Sequence, residues 1–304
     1  MTEIPFVKDF DFAYGVADQL SPLIRRVVAN NPGPFTYTGS GTYLIGAGTD
    51  VAVIDPGPAN QFHEDALIEA TDGKISHILI THTHLDHCGG ARSLADRCGA
   101  PILGFGPHPR SDGPLEDRAL EEGGDTSFQP DIRLNDGDKI AGDGWCLTAV
   151  HTPGHISNHL CFALAEEKAL FTGDHIMGWA TTVIIPPSGH MGAYFESLDK
   201  LLNRDDVVYY PTHGAPIHKP QRFTRAVKTH RRIRDGQIIE QLKSGRSQIR
   251  EIVAKMYADV DKRLHGAAAM NVLAHLIRLV EIGTVECDGP VTLDAEFRLA
   301  VSAD

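Results

Sequence analysis

Between residues 81 and 90 the chain reads THTHLDHCGG, which places His82, His84, Asp86 and His87 within six residues. Imidazole and carboxylate are the side chains that hold zinc, iron or manganese. Four such groups packed beside two glycines have no obvious use in simple packing. Three more follow at wider spacing: His155 closes HTPGH (151–155), Asp174 closes LFTGD (170–174), and His213 follows YYPT (209–212). Each of the four segments comes directly after a short run rich in β-branched and aromatic residues, so each reads as the loop leaving a strand. Neighbouring strands of one sheet deliver their last residues to one edge, and the four segments can therefore converge. Seven ligands exceed the four of one tetrahedral zinc. They point to two ions about 3.5–4 Å apart sharing a carboxylate, and Asp174 is the carboxylate left to bridge. Two zinc ions are the expected cofactor, with iron or manganese compatible with the same donors.

Such a centre suits hydrolysis. A water held by these ions has its pKa lowered to about 7, so hydroxide is at hand at neutral pH. The cations then stabilise the oxyanion formed at an attacked carbon or phosphorus. Asp86 is expected to orient the nucleophile as well as to ligate. Asp55, in DVAVIDPG (50–57), is expected to hydrogen-bond a ligating imidazole from behind, the alternative being a turn residue before Pro56. His159, four residues beyond His155, is a candidate acid for the leaving group, set against a structural histidine; His175, beside Asp174, is a similar case. His63, His77, His108, His218, His230, His265 and His275 stand alone and read as surface or capping residues. Cys88 reads as a small buried residue. Trp179 and Tyr194 read as pocket wall or aromatic core.

The elements that must position these groups alternate through the first two thirds of the chain. TYTGSGTYLIG (36–46) and DVAVIDPG are two apolar runs split by a Gly-containing turn, a hairpin signal. Residues 60–71 read as a helix. HILIT (77–81), GWCLTAVH (144–151), LFTGD and DVVYYPT (206–212) read as strands. The tail changes character: 222–243, 248–257 and 267–281 have helical periodicity. Residues 284–300 read as a hairpin turning at Asp288-Gly289-Pro290. Three helices followed by a hairpin is the order of a winged helix.

Charge marks the same division. Of a net −12, residues 1–220 hold −15, residues 221–250 hold +7 and residues 251–304 hold −4. The boundary is therefore expected near Pro220, giving a catalytic domain over 1–220 and a C-terminal domain over 221–304. The acidic balance disfavours a long nucleic-acid track across the front. Five cysteines with no CxxC pair read as reduced thiols. No apolar run is long enough to span a bilayer, and the N-terminus has no secretion signal, so the cytoplasm is the expected compartment.

THTHLDH, HTPGH, TGDH and PTHG, in this order and spacing, resemble the metallo-β-lactamase superfamily over about residues 30–220. The resemblance implies an αββα sandwich with the metals at one edge of paired sheets. It implies that His82, His84 and His155 hold a first metal, that Asp86, His87 and His213 hold a second, and that Asp174 bridges. Class B1 and B2 β-lactamases carry cysteine where this chain has Asp174, so the chain looks more like glyoxalase II and the nuclease branches, and feeble turnover of β-lactams is expected. Residues 172–202, 214–220 and 230–242 resemble the lactamase-β-like endoribonuclease group, whose members carry a C-terminal winged helix, and the related zinc thioesterases that release polyketides from carrier proteins. Where that family usually has PPDGDM this chain has PPSGHM, which puts His190 at an expected acidic position of the pocket rim.

Three classes of function follow. The first is a hydrolase of small or carrier-bound esters and thioesters. The second is an endonuclease of single-stranded RNA, guided by Arg222, Arg225, Lys228, Arg231, Arg232 and Arg234, although that basic run also reads as a solvated face. The third is a non-catalytic nucleic-acid binder using the winged helix, disfavoured by the complete ligand set. A mononuclear iron dioxygenase resembling the persulfide enzymes is a further alternative, disfavoured by the tail.

Overall fold

In the strand Gly41–Ile45, Tyr43 and Ile45 enter one apolar cluster and Leu44 enters another. A strand covered on both faces is apolar along its whole length for this reason. The computed structural model describes residues 3–109, 123–259 and 261–300. In chain order the elements begin with β1 (Ala17–Gln19), β2 (Ile24–Val28), β3 (Gly41–Ile45), β4 (Val51–Ile54), α1 (Gln61–Ala70) and β5 (Ile75–Leu79). They continue with α2 (Leu85–Cys88), α3 (Ala91–Cys98), β6 (Ile102–Gly104), β7 (Ile132–Arg133), β8 (Lys139–Gly142), β9 (Trp145–His151), β10 (Leu160–Leu164) and β11 (Ala169–Gly173). The last are α4 (Met191–Leu202), β12 (Val208–Pro211), α5 (Pro220–Lys243), α6 (Ile249–Met256), α7 (His265–Glu281), β13 (Val285–Cys287) and β14 (Phe297–Leu299).

Strands β1 to β7 form one sheet in sequence order, and β12-β11-β10-β9-β8 form a second. The inward residues of both share a core: Tyr43, Ile45 and Ile54 from one side, Leu147, Phe162 and Phe171 from the other. The outer face of the first sheet is covered by Leu67 of α1 and Leu94 of α3. The outer face of the second is covered by Leu198 of α4 and by Phe223 and Val227 of α5. This is an αββα sandwich. Strands β4 and β5 run parallel, as do β11 and β12, while β9 is antiparallel to β10 and β10 to β11. The C-terminal ends of β9, β11 and β12 therefore share one edge of their sheet.

Beyond it, α5 (second half), α6, α7 and the β13–β14 hairpin enclose their own cluster, with Ile238, Leu242, Ile252, Leu276, Val285 and Phe297 at its centre. Helix α6 begins with a reciprocal cap between Gln248 and Glu251, the arrangement that satisfies two orphan N–H groups at once. Helix α1 is capped by Asn60, whose side chain accepts from the N–H groups of Phe62 and His63 at 3.0 and 3.3 Å. Among the described residues no helix is long and apolar enough to cross a membrane.

Several expectations are corrected. Within 36–46 the strand starts at Gly41, and before it Tyr37 makes an isolated bridge to Gly33. At Gly39, where φ is +130°, an added Cβ would lie 2.1 Å from the carbonyl oxygen of Ala29, so residues 36–40 form a tight loop instead. The C-terminal strands are three residues each, and a nine-residue connection, 288–296, replaces the tight turn at Asp288-Gly289-Pro290. His63 and His275 are buried rather than on the surface. Nε2 of His63 lies 2.8 Å from the Thr42 hydroxyl and Nδ1 of His275 lies 2.7 Å from Asp235. Arg231, counted among the solvated basic residues, is fully buried.

Candidate metal centre

The seven side chains singled out by type and spacing converge where the edges of the two sheets meet, which corrects the expectation of one common sheet: the THTHLDH loop leaves β5 of the first sheet, and the other three segments leave strands of the second. His82, His84, Asp86 and His87 lie on the loop after β5 and on α2, His155 follows β9, Asp174 follows β11, and His213 follows β12. All seven are buried. Nδ1 of His84 stands 2.9 Å from Nε2 of His82 and 3.1 Å from Nε2 of His155. Nε2 of His213 is 3.1 Å from Asp86 Oδ2, and Nε2 of His87 is 3.3 Å from the same oxygen. Asp174 lies between the two sets. Its Oδ1 is 3.5 and 3.4 Å from His87 and His213, and its Oδ2 is 3.9 Å from His155.

Gly173 makes this placement possible. It sits at φ +48°, and an added Cβ would fall 2.7 Å from His159 Nε2 and 2.9 Å from Thr81. Asp55 also adopts a positive φ, 51°, which aspartate tolerates better than most residues. Its carboxylate accepts from the Thr81 N–H at 2.8 Å, the Thr81 hydroxyl at 2.7 Å, His87 Nδ1 at 2.8 Å and the Thr212 hydroxyl at 3.1 Å. One buried carboxylate thus ties the ends of β4, β5 and β12 together and fixes the tautomer of His87, leaving Nε2 to face Asp86 and Asp174.

Electrostatically the cluster divides in two. Burial, aided by the neighbouring imidazoles of His87, His84 and His155, holds His82 well below the usual histidine value. Burial also works against charge on His87, yet Asp86, Asp174 and Asp55 around it hold its pKa well above the ordinary range. Burial alone would raise Asp174, but the imidazoles of His213 and His87 hold it well below the carboxylate range. Asp86 is held low as well, and against burial the negative charge of Asp174 and Asp86 raises His213 as it does His87, a surplus of negative charge around the imidazoles that a bound cation would take up.

The donors fit divalent metal ions. Three trios, His82–His84–His155, His82–His87–Asp174 and Asp86–His87–His213, each bring their ligand atoms within 4.8 Å of one another. His87 Nε2 and Asp174 Oδ1 are buried without a hydrogen-bond partner, a costly arrangement unless something else meets them. Nδ1 of His84 faces a nitrogen of both His82 and His155 at about 3 Å; its one lone pair or proton is shared between two partners, whereas a cation would be met by all three nitrogens.

The other candidates fall behind the cluster or away from it. His159 is fully buried: Nδ1 lies 2.9 Å from the Thr152 hydroxyl, and Nε2 accepts the N–H of Asp174 at 3.2 Å. Both nitrogens hold backbone and neighbours in place, and burial keeps the ring well below its usual pKa. His175 is equally buried, with its pKa lowered to about 3 by burial. Tyr194 is core, its hydroxyl donating to the His175 carbonyl at 2.9 Å. His190 is not on the rim. It caps α4 by accepting from the Ala193 N–H at 3.0 Å and pairs with Glu281 of α7 at 2.8 Å. Trp179 does form wall, stacked on Tyr37 with centroids 4.6 Å apart. The cavity over the cluster, ≈ 160 Å³, is bounded by His84, Asp86, His155, Asp174 and His213 on the polar side and by Pro34, Phe35, Met177, Trp179 and Val183 on the apolar side. Sequence reading missed Pro34, Phe35 and the Ser40 hydroxyl that donates to Asp86 at 3.3 Å; they lie on loops with no periodic signal.

Comparison with known proteins agrees with this geometry. The family model of the metallo-beta-lactamase superfamily matches residues 38–213, and that of the beta-lactamase associated winged helix domain matches residues 249–290. A beta-lactamase-like protein 2 homolog of Caenorhabditis elegans is 33% identical over 274 residues, covering 88% of each chain. An atrochrysone carboxyl ACP thioesterase of Aspergillus novofumigatus is 31% identical over 287 residues, covering 89% of this chain and 83% of its own. The crystal structure of a metallo-beta-lactamase family protein from Thermus thermophilus superposes with a TM-score of 0.73 at 21% identity, over 92% of this chain and all of the other. The chain belongs to the metallo-beta-lactamase superfamily and carries that superfamily's C-terminal winged helix. It is a metal-dependent hydrolase.

Proposed function

We propose that the chain hydrolyses thioesters of apolar acyl groups at a centre of two divalent metal ions, zinc by preference. The observation that carries this reading is the cavity: Phe35, Met177, Trp179 and Val183 offer an apolar wall directly beside the ligand cluster, and among the described residues no lysine or arginine lines it. An acyl chain gains from that wall. Among the described residues a phosphodiester would find no basic side chain on that wall. The thioesterase name carried by a relative 31% identical over most of both chains supports the same choice.

In this reading His82, His84 and His155 hold one ion, Asp86, His87 and His213 the other, and Asp174 lies between them. When bound, the ions supply an activated water and an electrostatic sink for the oxyanion. The chain's own residues do the rest. Asp86, steadied by Ser40, orients the water. Asp55 holds His87 in its ligating tautomer, and His159 fixes the backbone of Asp174. The thiolate leaving group needs little help from an acid, so His159 is assigned a positioning role. Residues 1–220 are taken as the catalytic unit and the remainder as the winged-helix unit.

Single-stranded RNA is the weaker substrate class, because Arg231 is buried and the basic run loses a central member. The deciding experiment offers the purified chain, of measured metal content, a panel of acyl thioesters, a β-lactam and a single-stranded RNA. Thioester turnover with kcat/KM reaching about 10⁴ M⁻¹s⁻¹ or more, lost in Asp86→Ala, is expected. RNA cleavage that depends on Asp86, with no thioester turnover, would overturn the proposal.

A further inference from the structure

We propose that Arg231 is a positioning residue for the metal centre: through Thr182 and Tyr194 it holds the Asp174–His175 backbone and the wall segment 181–183, so helix α5 completes a site whose ligands all come from elsewhere. The proposal rests on the reading of Asp174 and His155 as metal-holding residues.

Arg231 lies midway along α5, on the buried stripe formed by Phe223, Val227, Asp235, Ile238 and Leu242. Helical spacing brings these residues to one side, and the stripe passes from the sandwich cluster into the winged-helix cluster. An apolar side chain would serve packing at this junction. Instead a guanidinium is fully buried there, and among the described residues it is paired with no acid. Such burial is costly unless the charge is met by directed partners. Its partners are the Thr182 carbonyl, which accepts from Nη2, and the Tyr194 ring, whose centroid lies 5.4 Å from the guanidinium carbon, a cation–π arrangement.

Both partners lead to the cluster in a single step. The Thr182 hydroxyl lies 2.9 Å from each of the carbonyl oxygens of Asp174 and His175. The Tyr194 hydroxyl donates to the same His175 carbonyl at 2.9 Å. The next residue, Val183, accepts at its carbonyl from His155 Nδ1 at 2.7 Å, which directs Nε2 of that ring toward His84 and Asp174. Residues 182 and 183 thus touch the backbone carbonyl of Asp174 and the ring of His155, and Thr181 and Val183 line the cavity. Arg231 grips this segment from outside. His159 holds the N–H of Asp174 and Thr182 holds its carbonyl, so removing the grip on Thr182 frees one side of the Asp174 backbone.

The test uses the full chain and reads metal binding, independent of any substrate. Affinity is measured by competition with a chelator, and ligand geometry by the visible spectrum after cobalt substitution. Arg231→Met preserves volume and removes the grip. It is expected to weaken metal affinity by about tenfold or more, the loss typical for partners behind metal ligands, and to alter the cobalt spectrum. With a thioester substrate kcat falls while KM holds. Thr182→Val reproduces the effect, and the double variant is no worse than either single change. Arg231→Lys restores part of the loss, and Arg232→Met, on the exposed side of the same helix, changes nothing. If Arg231→Met fails to fold, Arg231→Lys and Thr182→Val carry the test. Folded Thr182→Val and Arg231 variants with wild-type affinity and spectrum overturn the proposal. A wild-type chain that binds no divalent metal overturns the reading of the centre itself, which is a separate result.

Discussion

Two places in this molecule bury clusters of ionisable side chains, and they are built differently. In the C-terminal unit, Asp235 accepts from His275 Nδ1 and from Arg278 Nη1, both at 2.7 Å. One carboxylate meets one cation and one imidazole, and the network closes on itself with only His275 Nε2 left over. At the sheet edge, five imidazoles and two carboxylates face a common point. The backs of His87, His155 and His213 are engaged by Asp55, the Val183 carbonyl and the Gly39 carbonyl, while His87 Nε2 and Asp174 Oδ1 at the front have no hydrogen-bond partner among the described residues. A structural network spends its polar groups inwardly; a binding site holds them from behind and leaves the front for a ligand.

That contrast can be broken most forcefully at its centre. Asp174→Ala removes the carboxylate between the two imidazole sets. Thioester turnover should fall by about 10³-fold or more, equivalent to several kcal/mol of lost charge stabilisation, and bound metal measured by elemental analysis should drop, while the melting curve shifts little in the metal-free protein. A variant with full metal content and activity would remove Asp174 from the site.

The opposite pattern is expected in the closed network. Asp235→Ala leaves Arg278 and buried His275 without their shared acid. Urea unfolding should show a loss of roughly 3 kcal/mol, the cost of stripping one partner from a buried pair, with kcat per folded molecule unchanged. A large fall in kcat without loss of stability would mean that the network belongs to the site.

Between these extremes lies Asp55, which is polar support rather than ligand. All four of its contacts are donors, so Asp55→Asn sets an amide N–H₂ against a donor. Metal affinity should weaken about 10- to 100-fold with the fold retained, as read by chelator competition. The smallest effect is expected on the exposed face of α5. Replacing Arg222, Arg225 and Arg232 together by alanine should change stability by no more than about 0.5 kcal/mol and leave thioester turnover untouched. A steep loss of RNA binding, with a flatter salt dependence, would instead show a phosphate track there.

The sequence by itself determined the seven side chains of the cluster, because ligand chemistry is local. Their residue types, their spacing and the strands that precede them are all written within a few positions of each residue. The same is true of α1 and α6, whose capping side chains lie within their own segments, and of α7, whose apolar periodicity does. Asp55 was half legible: a hydrogen bond to an imidazole stood against a turn residue before Pro56, and the fold decided by bringing His87 to its carboxylate. The exposed-looking basic run was misleading for a physical reason: charge in a sequence does not say which side of a helix meets the core, and Arg231 lies on the stripe that does. His190 deceived in the same way, because its partner Glu281 lies 91 residues away. The apolar wall, the grip of Arg231 on Thr182, and the hold of His159 on Asp174 were decided only by tertiary structure. Each depends on loops and faces brought together from distant parts of the chain, and no local pattern encodes which of them will touch.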